Sequence, residues 1–101
     1  FEGHVVQGHC EGVGEVVGCE KRGDDIRLTI RAPAELRRSI VPKGSICLDG
    51  VSLTVAEVGP ETFTVALIPT TLAGTTLGQK RMGDRVNVET DVLVRTLLAY
   101  Q

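Results

Sequence analysis

Two histidines, His4 and His9, are the side chains of this 101-residue sequence whose ordinary titration falls near neutrality. Such residues do one of two kinds of chemistry, proton transfer or metal ligation. An odd separation along an extended strand places the two rings on opposite faces. No Cys, Asp or Glu cluster completes a coordination shell nearby in sequence, so no metal is expected. What remains for each ring is an exposed or singly hydrogen-bonded role, or that of a general base.

Hydroxyls form the second group. Ser52 and Thr54 alternate with Val51, Leu53 and Val55, which gives one apolar face and one face of hydroxyls if the segment is a strand. Thr70, Thr71, Thr75 and Thr76 suit a polyhydroxylated ligand, and equally suit the capping and solvation of a turn. Gly8, Gly12 and Gly14 match neither the dinucleotide fingerprint nor a phosphate loop. They point instead to bends or to close approach of a ligand to the backbone. Lys43-Gly44 reads as a helix-to-strand exit and Asp49 as a turn residue, and no Ser/His/Asp arrangement stands out.

Short strands must position these groups. Val- and Gly-rich text from His4 to Val13, then Glu15 to Glu20 after Gly14, predicts two strands. Ile26, Leu28 and Ile30 alternate with Arg27, Thr29 and Arg31, the pattern of a strand with one wet face. Ala34 to Val41 predicts a helix of about two turns, with Leu36, Ile40 and Val41 on one side. Ser45–Leu48 and Val51–Val55 flank Asp49-Gly50, a tight hairpin signal. Phe63, Val65 and Leu67 alternate up to Pro69, Thr70 to Leu77 predicts a short helix, and Arg85 to Glu89 a last strand. Asp91 then caps an amphipathic segment carrying Leu93, Val94, Leu97 and Leu98. Turn signals at such short intervals imply a small antiparallel barrel or sandwich, mainly β, with short helices.

Composition narrows the function classes. The chain is 42% hydrophobic and 24% charged with a net charge of -2, which argues against disorder and against a basic nucleic-acid surface. Phe1, Phe63 and Tyr100 are its only aromatic residues, too few for a base-stacking platform. No run approaches the roughly 18 apolar residues of a membrane span, and no signal-peptide layout opens the chain. Cys10, Cys19 and Cys47 cannot all pair with one another and have no zinc-site spacing. Reduced thiols and a cytoplasmic setting are expected. The start at Phe1, on a strand-like pattern, leads to the expectation of a domain excised from a longer polypeptide.

Four segments carry a resemblance: Gly3-His4-Val5-Val6-Gln7-Gly8-His9; Lys43 through Asp49-Gly50-Val51-Ser52-Leu53-Thr54-Val55; Leu67-Ile68-Pro69-Thr70-Thr71-Leu72 with Thr75-Thr76-Leu77-Gly78; and Gly83-Asp84-Arg85-Val86-Asn87-Val88-Glu89. In this order, over nearly the whole chain, they resemble riboflavin synthase. The resemblance implies a six-stranded antiparallel Greek-key barrel over residues 1–90, with 91–101 beginning a carboxy-terminal helix. The family's polypeptide is a tandem of two such barrels that assembles as a trimer. The G-H-x-x-x-G-H opening and the D-G-x-S-L-T-V hairpin resemble the second barrel, because the first typically has a cysteine where Ser52 stands.

The implied reaction is the dismutation of two molecules of 6,7-dimethyl-8-ribityllumazine to riboflavin and a ribitylamino-pyrimidinedione, without cofactor or metal. Lumazine or riboflavin is the ligand, and the site forms between one barrel and the first barrel of a neighbouring subunit, so a homo-oligomer is expected. Matching the family's pocket position by position implies Gly8, His9 and Cys10, Lys43, the arm Ser52, Leu53 and Thr54, and the turn Ile68, Pro69, Thr70, Thr71, Leu72 and Ala73. His9 is the expected base for the C7-methyl proton, with His4 and Asp91 in support. The competing expectation is a noncatalytic lumazine- or riboflavin-binding module of the lumazine-protein type.

Overall fold

The computed structural model describes residues 11–90. The expectations for His4, Gly8, His9, Cys10, Asp91 and the carboxy-terminal segment lie outside them. Six strands close into one antiparallel barrel: β1 (Glu11–Arg22), β2 (Asp25–Arg31), β3 (Ser45–Leu48), β4 (Val51–Val58), β5 (Thr62–Leu67) and β6 (Arg85–Thr90). Their order around the barrel is β1-β2-β5-β4-β3-β6, so β3, β4 and β5 form a meander and β2 returns beside β5 in Greek-key fashion. Helix α1 (Ala34–Arg37) follows β2. Helix α2 (Pro69–Gly74) and a 3₁₀ turn (Leu77–Gln79) follow β5. No described helix is long and apolar enough to cross a membrane.

Alternation builds the interior. Leu28 and Ile30 of β2, Phe63, Val65 and Leu67 of β5, and Val86 and Val88 of β6 are all buried, while their neighbours in sequence face outward or lie half-buried. Leu36 from α1 and Leu77 from the 3₁₀ turn join the same core.

Two expectations are corrected. The stretch around Gly14 is not a boundary between strands: β1 runs unbroken through it from Glu11 to Arg22 and shifts register only between Val16 and Gly18. Gly12 and Gly14 face inward, where a Cβ on Gly12 would lie 2.7 Å from Leu36 Cδ1 and one on Gly14 2.6 Å from Ile30 Cγ2. At both glycines the space that a side chain would take is filled by core side chains. Gly14→Ala is expected to destabilise the barrel by about 1–3 kcal/mol through overpacking. The measurement is the urea midpoint, which should fall at constant slope; an unchanged midpoint would mean that the wall has room for a methyl group.

The second correction concerns α1, a single turn and not the expected two. Pro33 precedes it with no side-chain cap, and its continuation consists of i→i+3 bonds from Ser39 N–H to Leu36 O and from Ile40 N–H to Arg37 O. Pro42 disfavours helical backbone at Val41, so the segment cannot propagate. Ile40 is buried but Val41 is 40% exposed.

Candidate functional site

The hairpin between β3 and β4 turns at Asp49 and Gly50, both with positive φ (48° and 84°), as a type I′ turn requires. This fixes the register: Ser45 lies opposite Thr54, Ile46 opposite Leu53 and Cys47 opposite Ser52. With Ile46 and Leu53 buried, Ser45, Ser52 and Thr54 are exposed on the outer wall and Cys47 is half-buried beside them. Leu53 is only 9% exposed. Of the arm expected to meet a ligand, its side chain belongs to the core and only its backbone is available outside.

Lys43 enters the same region from the other side. Its N–H donates to Val55 O at 2.8 Å, and Val55 N–H donates to Gly44 O at 2.8 Å, which seats Lys43 beside the Thr54 end of β4. Lys43 has φ 67°, an unusual conformation for a residue with a Cβ, and its side chain is exposed.

The other wall begins where β5 ends. Among the described residues the β4–β5 ladder stops at Val55 opposite Val65, with a register shift between Val55 and Glu57, although β4 starts at Val51 and β5 runs on to Leu67. Continuing the register by two residues brings Leu67 level with Leu53. Among the described residues no ladder pair joins β4 to β5 past Val55–Val65, toward Ser52 on one strand and Ile68 beyond the other. Ile68 is 49% exposed there, and its carbonyl accepts from Leu72 N–H at 2.9 Å.

Pro69 occupies the first turn of α2, where its missing N–H costs nothing. Pro69, Thr70 and Ala73 are exposed, Thr71 is half-buried, and Leu72 packs on the core over Gly78. Thr75 Oγ1 donates to Thr71 O at 2.8 Å and accepts from Leu77 N–H at 3.3 Å. For this threonine the turn-capping reading holds.

The structure leaves Lys43, Ser52, Thr54, Ile68 and Thr70 exposed and Thr71 half-buried, the first three at or beside the β3–β4 hairpin and the others on the segment that follows β5. Sequence reasoning passed over Ser45 and Cys47, which the hairpin register alone would have placed on the hydroxyl face. Burial, then the Glu89 carboxylate, raises the Cys47 thiol above its ordinary pKa, outweighing a lowering backbone hydrogen bond from Gly50. The shift favours the neutral thiol over the thiolate. Among the described residues no group of three His, Cys, Asp or Glu side chains is arranged to hold a metal ion.

Two concavities among the described residues, of about 350 and 410 Å³, are each lined by Val13 with residues of β1 and β6. Glu11 and Glu89 line the first, and Glu15 and Arg85 the second. Neither includes the Ser52–Thr54 arm.

A closed six-stranded antiparallel barrel with a largely apolar interior and hydroxyls on its outer wall is the class of domain these residues define. Residues 7–91 match the family model described as the lumazine binding domain, and the chain belongs to that family. Its sequence is 48% identical over 93 residues to the riboflavin synthase of Brucella abortus (strain 2308), covering 92% of this chain and 46% of that protein. It is 46% identical over 97 residues to the riboflavin synthase of Mycobacterium bovis (strain ATCC BAA-935 / AF2122/97), covering 92% and 48%. With the riboflavin synthase of Bacillus subtilis (strain 168) the identity is 37% over 100 residues, covering 99% and 46%. The chain spans about half the length of these relatives.

Among solved structures, LumP complexed with riboflavin superposes with a TM-score of 0.75 at 24% identity, over 78% of this chain and 42% of that one. LumP complexed with 6,7-dimethyl-8-(1'-D-ribityl) lumazine gives 0.74 over 78% and 44%, also at 24% identity. These two likenesses establish the fold.

Proposed function

We propose that the chain is one barrel of a riboflavin synthase, the second of two, and that it holds one molecule of 6,7-dimethyl-8-ribityllumazine on the open strip between β4 and α2. The observation that carries this is the early end of the β4–β5 ladder at Val55–Val65 in a lumazine binding domain. Backbone N–H and C=O groups past the ladder's end suit the pyrimidinedione edge, Ser52, Thr54 and Thr71 suit the ribityl hydroxyls, and Ile68 offers an apolar wall. Ser52, where the family's first barrel resembles a cysteine-bearing hairpin, supports the second-barrel reading. The LumP structures carry riboflavin or the lumazine on the same fold.

Catalysis in this reading belongs to a pair of barrels, with the partner supplied by a neighbouring subunit and no cofactor. Each barrel presents one lumazine, and juxtaposition of the two supplies much of the rate. His9 is the proposed base for the C7-methyl proton, with His4 and Asp91 supporting it. A noncatalytic module of the lumazine-protein type shares the binding step and differs in turnover alone.

Fluorescence titration with riboflavin tests the binding step. Ser52→Ala and Thr54→Ala should each weaken affinity by about 0.5–1.5 kcal/mol, the worth of one neutral hydrogen bond. Wild-type affinity in both variants would remove the arm from the site.

A further inference from the structure

Asp49 and Lys80 form an ion pair that the binding reading does not use. Asp49 sits at the tip of the β3–β4 hairpin, three residues before Ser52. Its N–H donates to Asn87 O at 2.9 Å, and its Oδ1 accepts from Asn87 N–H at 2.8 Å, so the carboxylate replaces a backbone carbonyl and lengthens the β3–β6 ladder beyond Leu48–Val88. Its other oxygen, Oδ2, lies 3.1 Å from Lys80 Nζ, which also donates to Arg85 O at 2.9 Å. Lys80 ends the 3₁₀ turn, with its N–H on Leu77 O at 3.1 Å and Leu77 buried in the core.

The pair joins the turn of the β3–β4 hairpin to the connection between β5 and β6 that carries α2 and the 3₁₀ turn. Asp49 leads directly into the Ser52–Thr54 arm, and Lys80 terminates the segment that begins with Ile68 and α2. The β4–β5 ladder ends at Val55–Val65 and so does not hold this connection to β4, whereas Asp49 and Lys80 both also bond to β6, through Asn87 and Arg85. The pair is also sheltered: its side chains are 23% and 26% exposed, against 57% and 63% for Arg22–Glu20 and 55% and 49% for Arg31–Glu15. Shelter limits screening by salt and water, which reduces most surface ion pairs to little effect.

We propose that Asp49 and Lys80 are positioning residues whose ion pair fixes the gap between the hydroxyl arm and α2, and thereby the affinity of the strip for the ribityl-bearing ring system. This role rests on the binding reading above. Asp49→Asn keeps an oxygen for Asn87 N–H but loses the charge, and Lys80→Met keeps the aliphatic stem but loses the ammonium.

The experiment titrates riboflavin into the wild type, D49N, K80M, the double variant and K80R, well below each unfolding midpoint. Each single loss should raise Kd about two- to five-fold, the double variant should match the singles, and K80R should restore part of the affinity. Riboflavin is uncharged, so raising salt to about 1 M should weaken wild-type binding toward the variants and leave theirs unchanged. Arg22→Ala, which breaks the more exposed Arg22–Glu20 pair, should bind as the wild type does. Wild-type affinity in D49N and K80M, or equal salt dependence in all forms, overturns the positioning role alone. Absence of wild-type binding overturns the binding reading and the positioning role together.

Discussion

Supplied with the half of a full-length riboflavin synthase that it does not match, the chain is expected to form riboflavin from the lumazine at least about a hundred-fold faster than it does alone. The reaction consumes two identical substrates, and holding them in reacting geometry can contribute about 7–11 kcal/mol toward the barrier. An isolated barrel forfeits most of that contribution, and about 2.7 kcal/mol already amounts to the hundred-fold difference. The assay follows riboflavin fluorescence with each half alone and with the two mixed at equal concentration. A mixture no faster than the sum of its parts would move the chain from the synthase reading to that of a noncatalytic module.

Phe63→Ala should be the most damaging single truncation in the barrel. Phe63 is 1% exposed and sits in β5 opposite Ile30 of β2 and Val58 of β4, where it spans the interior beneath two ladders. Removing a buried phenyl ring costs about 3–5 kcal/mol in transfer and cavity terms. A domain of this size has about 5–15 kcal/mol of stability in total, so the variant should lose much of it. Tm should fall by at least about 12 °C, while Phe63→Leu, which refills most of the space, should lose far less. A small shift for the alanine variant would show that the barrel collapses around the gap.

Much of this architecture can be read from local pattern because each local choice has one physical solution. The alternation at Ile26, Leu28 and Ile30 predicts a strand with its apolar side inward, and the structure buries Leu28 and Ile30. Asp49-Gly50 predicts the hairpin and, through its register, the outward aim of Ser52 and Thr54. The lumazine family and the count of six strands come instead from the resemblance that the four segments carry, since local pattern leaves barrel and sandwich both open.

What local pattern missed depends on partners distant in sequence. Gly14 looks like a break, because glycine punctuates strands. Its actual reason is Ile30, which needs the space. Asp49 looks like a turn residue and nothing more, because the backbone group it binds lies 38 residues away at Asn87. The early end of the β4–β5 ladder has no signature at all, since Val51–Val55 and Phe63–Leu67 both carry strand patterns along their full length.

Closure of the barrel has a consequence for how copies of such a unit come together. In a sheet that returns upon itself every described strand has a neighbour on both sides, so apart from the stretch past Val55–Val65 the described strands offer little template for another chain. Two such sheets in one polypeptide can therefore fold side by side without exchanging segments, and their mutual recognition is left to side chains. That leaves evolution free to change the contact between tandem units without endangering the fold of either one.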